Sequence, residues 1–273
     1  MNAIFVADKP TGLSSNQFLS RLKRKYKVKK AGYSGTLDPF ASGALIVAFG
    51  SYTRLFRFLN KSPKVYEATM WIGASSKSLD NQNITQVQKI LPFAPSSLEI
   101  VRQDLLEEVE FIPPKYSAKN INGERAYNLA KKGIEFELKK QTMQVFSCEI
   151  LHYMHPFLTF RISLSEGGYV RSYAELFAKK LGFDATLTAL RRISEGKFKF
   201  ENEKFLNPTE ILDIKDNEYL GDISDLFDGK ELNVGKLKFK ENGIYLLNYD
   251  KFFSIIEVQN DMVNYCLNKV EKC

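Results

Sequence analysis

GYSGTLDPFASG, Gly32 to Gly43, runs straight into ALIVAFG, Ala44 to Gly50. The second half is a short apolar run bounded by glycines, the pattern of a buried strand. The first half sets one acid, Asp38, among small residues and turn formers, between Leu37 and Pro39. A surface loop would usually spread several charges through such a segment. Pro39 disfavours the helical region for its predecessor, so the Asp38 backbone is expected to be extended. Gly32, Gly35 and Gly43 permit tight turns and close approach by another molecule's backbone. The stretch reads as a pre-shaped loop displaying one carboxylate beside a core strand. Residue types alone favour a plainer reading, the Asx-type turn that Asp-Pro often initiates. A single aspartate can serve as nucleophile, general base or ion-pair partner. No nearby second acid of the glycosidase type chooses among these.

Outward from this stretch, strands and helices mix without a regular βαβ rhythm, which points to an α+β fold. AIFVAD (3–8) reads as a buried strand, and KPTGLSS then turns and offers serines as helix N-caps. NQFLSRLKRKYK is expected to be helical, with Phe18, Leu22 and Tyr26 recurring at spacing four. SYTRLFRFLN (51–60) reads as a helix and KVYEATMWIG (64–73) as an alternating strand. From Ile112 to about Gln141 the chain becomes polar and basic behind two prolines, an exposed excursion or arm, with a short helix in GERAYNLAKKG. Two strand-like runs, MQVFSCEILHYM and FLTFRISLS, join at His155-Pro156. EGGYVRSYAELFAKKLG turns from a strand end into a helix with a glycine stop, and TLTALRRISEGKF is a further strand. After about Phe205 an acid-rich stretch precedes KLKFKENGIYLLNYDKFFSIIEV, read as short strands with a hairpin-turn signal at Asn242-Gly243.

The 39 Lys and Arg against 32 Asp and Glu give a net charge of +7, which favours a polyanionic partner. RLKRKYKVKK (21–30) holds seven of the basic residues in ten positions with no acid. Such a cluster suits phosphate, because each neutralised phosphate releases condensed counterions. Cys148, Cys266 and Cys273 form no CxxC pair, so zinc and disulfide frameworks are unsupported and free thiols fit a reducing cytosol. Absence of a leader-like start and of a long apolar run sets the expectation of a cytoplasmic protein. His152 and His155 form an HxxH without a third ligand, on a strand that would point them to opposite faces. No P-loop, GxGxxG or Ser–His–Asp set supports nucleotide hydrolysis or redox chemistry.

DKPTGLSS, AGYSGTLDPFASGALIVAFG, VYEATMWIG, PPKYSAKNINGERAYNLAKKG, and GGYVRSYAELFAKKLG with TALRRI stand in an order that resembles the TruB family of tRNA pseudouridine synthases. The match spans roughly residues 2 to 200. It implies a catalytic domain over 1–205 with a mixed, mainly antiparallel sheet flanked by helices, and a mobile RNA-binding thumb over about 114–141. The remaining 206–273 would form a small β-rich, reduced PUA-like unit. The resemblance makes Asp38 the catalytic carboxylate of an isomerase that cuts the uridine N1–C1′ bond, turns the uracil and rejoins it through C5. That redox-neutral reaction needs no cofactor and no metal. Asp38 would attack C1′ or take a proton from C2′; the sequence does not choose.

Further roles follow from the resemblance residue by residue. Tyr66 would stack on the target base, Arg171 would pair with Asp38 and hold it ionised, Tyr169 would line the pocket and Leu190 would form an apolar wall. Lys9 would stand near the active-site entrance and Asp80 would network with the pocket arginine. The implied partner is tRNA, at uridine 55 of the T-arm, with that base flipped out of its stack. Arg21, Lys23, Arg24, Tyr33, Arg54 and Lys115 are the expected RNA contacts. No membrane and no obligate protein partner is implied, and the chain is expected to act as a monomer. Three departures stand out. Tyr33 replaces the usual histidine, SSKSLDNQN keeps only Asp80 of an acid-rich motif, and Glu166 replaces a basic residue. Two alternatives remain open at this point, a non-catalytic tRNA-binding and folding factor, and a synthase for another RNA stem-loop.

Overall fold

The computed structural model describes residues 1–121 and 123–272; Asn122, inside the arm, and Cys273 lie outside the described residues. A nine-stranded sheet forms the body. Its order is Ala3–Lys9, Ser42–Phe49, Ala185–Glu195, Lys64–Ile72, Phe157–Leu164, Gln141–Met154 and Glu107–Phe111, with Ala31–Ser34 and Phe198–Lys199 added at its side. Neighbours pair antiparallel except Ser42–Phe49 with Ala185–Glu195, which run parallel through Ser42 to Arg191 and Gly43 to Arg192. The sheet is therefore mixed and mainly antiparallel, as expected.

Burial explains which runs read clearly. The strands of AIFVAD and ALIVAF are covered on both faces, so nearly every residue is apolar. One face, with Phe5, Leu45, Val47 and Phe49, meets Phe18 and Leu22 of the helix Ser15–Lys25. The other, with Ile4, Val6, Ile46 and Ala48, meets Tyr52 and Leu55 and the C-terminal residues Leu246, Phe253 and Ile255. KVYEATMWI alternates because only its Tyr66, Ala68, Met70 and Ile72 face is buried, beneath the helices Pro95–Asp104 and Val170–Lys180. Ser14 caps the first helix: its hydroxyl accepts from the Gln17 amide while the Gln17 side chain accepts from the Ser14 amide. Such a cap contributes about 1 kcal/mol.

Several elements differ from expectation. SYTRLFRF winds as a 3-10 helix, Gly50–Phe58. Pro95–Asp104 and Glu107–Phe111 were not anticipated. Asn242-Gly243 does not turn a hairpin. Gly243 opens a strand, Gly243–Asn248, whose neighbour on one side is the parallel Lys215–Asn217. KLKFK makes only a single antiparallel bridge, Leu237 to Tyr219, and beyond it the Asn217 side chain accepts from the Phe239 amide and donates to the Phe239 carbonyl. The C-terminal sheet runs Lys215–Asn217, Gly243–Asn248, Phe252–Gln259, Met262–Glu271. Cys148 is buried and Cys266 half-buried, both as free thiols. Among the described residues no helix is long and apolar enough to cross a membrane.

Candidate active site

The loop between Ser34 and Ser42 is fixed by its backbone. The Leu37 amide donates to the Ser15 hydroxyl at 3.0 Å, and that hydroxyl donates back to the Leu37 carbonyl at 3.1 Å. The Gly12 amide donates to the Pro39 carbonyl at 2.7 Å, and the Ala41 amide to the Asp38 carbonyl at 3.1 Å. The turn chemistry of Asp-Pro is thus satisfied by main chain. This leaves the Asp38 carboxylate free to face Arg171, whose Nη2 lies 2.9 Å from Oδ2.

Arg171 sits in the first turn of Val170–Lys180 with its side chain only 2% exposed. A cation there opposes the helix dipole, so its place depends on its acceptors. Besides Asp38 it donates through Nη1 to the Ser78 carbonyl at 2.7 Å and through Nη2 to the Tyr116 carbonyl at 2.9 Å. One guanidinium therefore ties together the Asp38 loop, the 76–82 turn and the root of the arm. Arginine suits the task because its planar fork addresses several acceptors at once.

A cavity of about 330 Å³ opens over this pair. Asp38, Tyr66, Tyr169, Arg171 and Leu190 all line it, along with Lys64, Ala118, Lys119 and Arg192. Tyr66 and Leu190 come from adjacent strands in register, Tyr66 opposite Arg192 and Ala68 opposite Leu190, so their side chains share one face. Asp38 is the single acid among the lining residues. Burial raises the Asp38 pKa from its ordinary value; Arg171 and Lys9 pull it down and Asp80 adds to the rise. The guanidinium therefore opposes desolvation without cancelling it. Burial likewise raises the Tyr169 pKa, so its phenol stays protonated. A larger hollow of about 490 Å³ lies across Leu190, lined by threonines, Asn81 and Gln82, and does not reach Asp38.

Asp80 is buried and acts on Arg171 through Ser78. The Ser78 hydroxyl donates to Asp80 Oδ1 at 2.6 Å while the Ser78 carbonyl accepts from Arg171. Lys9 does not stand at an entrance. It is fully buried, and its Nζ donates to the carbonyls of Pro10 at 2.9 Å and Leu13 at 2.6 Å. It shapes the turn that holds the Asp38 loop, and burial lowers its pKa to about 8, with Asp38 opposing that fall.

Arg21, Arg24 and Arg54 are exposed and Lys23 is half-buried. Tyr33 packs against the apolar cluster of the Ala3–Lys9 and Ser42–Phe49 strands and lies outside the Asp38 cavity. Lys115 lines a separate hollow with Lys77, Lys140 and Lys179, while its arm neighbours Ala118 and Lys119 border the cavity itself. Glu166 stands 3.4 Å from Lys61 and 3.9 Å from Lys64. At the turn of residues 155 and 156 both ring nitrogens of His155 are engaged, with the Tyr153 hydroxyl and the Ile90 carbonyl. Sequence reasoning missed Ser15, Ser78, Arg192 and Glu195. The last two sit in the quoted TALRRI segment and its extension, where only Leu190 was singled out.

The chain is similar to proteins of one family over most of its length. Residues 23–170, more than half of it, match the model of the TruB family pseudouridylate synthase N-terminal domain. Proteins named tRNA pseudouridine synthase B are similar over the whole length: 71% identical in Campylobacter curvus and 61% in Campylobacter concisus, each covering 100% of both chains. Among solved structures, a Cbf5-Nop10-Gar1 complex holds a chain that matches with a TM-score of 0.67 at 18% identity, over 99% of this chain and 84% of that one. An archaeal box H/ACA Nop10-Cbf5 complex matches at 0.64 and 19%, over 98% and 85%. At those identities the structures establish the fold alone, while the family model and the full-length relatives show that the chain belongs to the TruB family of pseudouridylate synthases.

Proposed function

We propose that the protein isomerises uridine 55 in the T-arm of tRNA to pseudouridine. The observation that carries this reading is the lone carboxylate of Asp38, held 2.9 Å from a buried arginine in a cavity walled by Tyr66, Tyr169 and Leu190. Isomerisation releases no leaving group and activates no water, so one acid suffices. The N1–C1′ bond breaks, C5 bonds to C1′, C5 loses its hydrogen to solvent and N1 gains one. Asp38 either attacks C1′ or removes the C2′ proton; in both routes it must be ionised. Arg171 orients it, Tyr66 stacks on the uracil and Leu190 closes the apolar side. The names of the full-length relatives support tRNA as substrate.

A uridine stacked in a folded loop reaches Asp38 only by flipping out. Arg21, Lys23, Arg24 and Arg54 supply phosphate contacts on one side, and Tyr33 shapes that side from beneath. The 114–141 arm, with Lys115 and Lys119, closes over the other. The 206–273 unit buttresses the catalytic domain of residues 1–205. The protein acts as a monomer in the cytoplasm.

Incubating an unmodified tRNA transcript with the protein and mapping carbodiimide-blocked positions by primer extension tests this. A new stop at position 55 is expected. Modification only elsewhere would move the substrate to another stem-loop, and binding with no modification would favour a folding factor. Reversing charge at Lys23 and Arg24 together should weaken tRNA binding by about tenfold or more at moderate salt and flatten its salt dependence by up to about two units of slope. An unchanged slope would remove that helix from the RNA surface.

A further inference from the structure

Below the Asp38 loop lies a buried charge cluster that the reaction above does not use. Arg192 and Glu195 each have a side chain 1% exposed, with Nη2 and Oε2 3.4 Å apart. Lys64 Nζ lies 3.4 Å from Glu195 Oε1. Neither carboxylate oxygen of Glu195 has a hydrogen-bond partner. Burying charge at such loose geometry is unfavourable compared with an apolar filling of the same space, so the cluster needs a reason beyond stability.

The reason is visible in what Arg192 holds. Its Nη2 donates to the Gly35 carbonyl at 2.9 Å and its Nε to the Ala44 carbonyl at 2.7 Å. Those carbonyls stand at the two ends of the loop that carries Asp38. The contact is also tight enough to dictate residue type at both ends. A Cβ on Gly35 would lie 2.6 Å from Glu195 Oε1 and 3.0 Å from Arg192 Nη1, at a φ of +68°. A Cβ on Gly43 would lie 2.1 Å from the Arg192 carbonyl oxygen, at a φ of +107°. Gly35 leaves space for the clamp itself, and Gly43 for the Arg192 backbone that carries it.

We propose that Arg192 is a positioning residue whose guanidinium clamps both ends of the Asp38 loop while Glu195 locks the guanidinium against it. The clamp sets the carboxylate at a fixed distance from the sugar C1′, where a displacement of an ångström or so costs about 10²-fold in rate. A lysine keeps the charge but cannot donate to two divergent carbonyls from one planar group.

This inference rests on the proposed reaction, so the test reads that reaction and its parts separately. Single-turnover rates at saturating enzyme, which do not depend on the folded fraction, are measured for the unsubstituted protein, Arg192→Lys, Gly35→Ala and the double variant, with tRNA affinity and melting temperature alongside. The single variants are expected to lose about tenfold or more in rate while binding tRNA within about twofold of the original. The double variant should lose less than the product of the two, because both break one clamp. A folded Arg192→Lys protein with an unchanged rate, or losses that multiply, would overturn the clamp. Should Arg192→Lys fail to fold, Glu195→Gln keeps the shape and removes the lock; the same rate loss supports the clamp and an unaltered rate refutes it. An inactive unsubstituted protein would instead refute the reaction itself.

Discussion

The two walls of the Asp38 cavity are built in opposite ways. The loop from Gly35 to Gly43 is pinned at several residues along its length. Ser15 binds both polar groups of Leu37, Gly12 binds Pro39, and Arg192 binds Gly35. The arm is tied to the body chiefly at its root, where Arg171 takes the Tyr116 carbonyl and Ser172 donates to the Ile112 carbonyl at 2.9 Å. Among the described residues its further bonds include internal ones, such as Ala126 to Lys119 and Tyr127 to Ser117, and residues 131–140 are largely exposed. A wall that carries the reacting group must be over-determined to hold sub-ångström geometry. A wall that must admit a folded RNA gains by opening at low cost. Changes in the loop wall should therefore appear in kcat, and changes in the arm in KM.

Arg171→Lys gives the largest effect short of removing Asp38. One ammonium cannot serve Asp38, Ser78 and Tyr116 together, so kcat should fall on the order of 10²-fold. It also touches a point where both walls meet, so KM should rise as well. Steady-state kinetics showing kcat unchanged would break the idea that the two walls are joined through Arg171. Lys119→Glu tests the arm alone. Placed on the cavity rim, it should raise KM by about five- to tenfold through lost phosphate attraction, with kcat held. A kcat loss without a KM change would contradict the division of labour.

The smallest effect is in the pH profile. Burial and Asp80 raise the Asp38 pKa. Both proposed routes need Asp38 ionised, so the acid limb of kcat/KM should lie above the ordinary carboxylate value of about 4. Asp80→Asn removes one of the two causes that raise it while keeping an Oδ1 to accept from Ser78 and Gln82, as Asp80 does at 2.6 and 2.9 Å. The acid limb should then move to lower pH by a fraction of a unit. Movement in the other direction would show that Asp80 acts on Asp38 by geometry rather than charge.

What was legible in the chain follows the same contrast. Strands buried on both faces announce themselves as unbroken apolar runs, and Lys64–Ile72, buried on one face, as an alternation. Asp38 was conspicuous because an acid between Leu37 and Pro39 breaks the local pattern, and Arg171 because the family motif names it. The resemblance put Lys9 near an entrance, and nothing local shows that the carbonyls of Pro10 and Leu13 turn inward to receive it. Arg192 and Glu195 were missed for a related reason. ISEGKF reads as a strand end with polar residues, and only the parallel pairing of Arg192 with Gly43, across some 150 positions of chain, reveals that these charges lie beneath the Asp38 loop. The turn at Asn242-Gly243 failed because the preceding segment pairs elsewhere: Leu237 bridges Tyr219, and the Asn217 side chain takes both backbone groups of Phe239. Pro95–Asp104 buries only Leu98 and Val101, too short an apolar face to stand out.

The account turns on Asp38 as the reacting carboxylate. The most direct test is release of tritium from tRNA labelled at uridine C5, with the unsubstituted protein and Asp38→Asn compared at matched tRNA binding. C5 must give up its hydrogen when it bonds to C1′. Release by the unsubstituted protein and none by Asp38→Asn is expected, and the variant should bind tRNA almost as well because little contact area is lost. Normal release by Asp38→Asn would contradict it and leave the carboxylate as an ion-pair partner of Arg171.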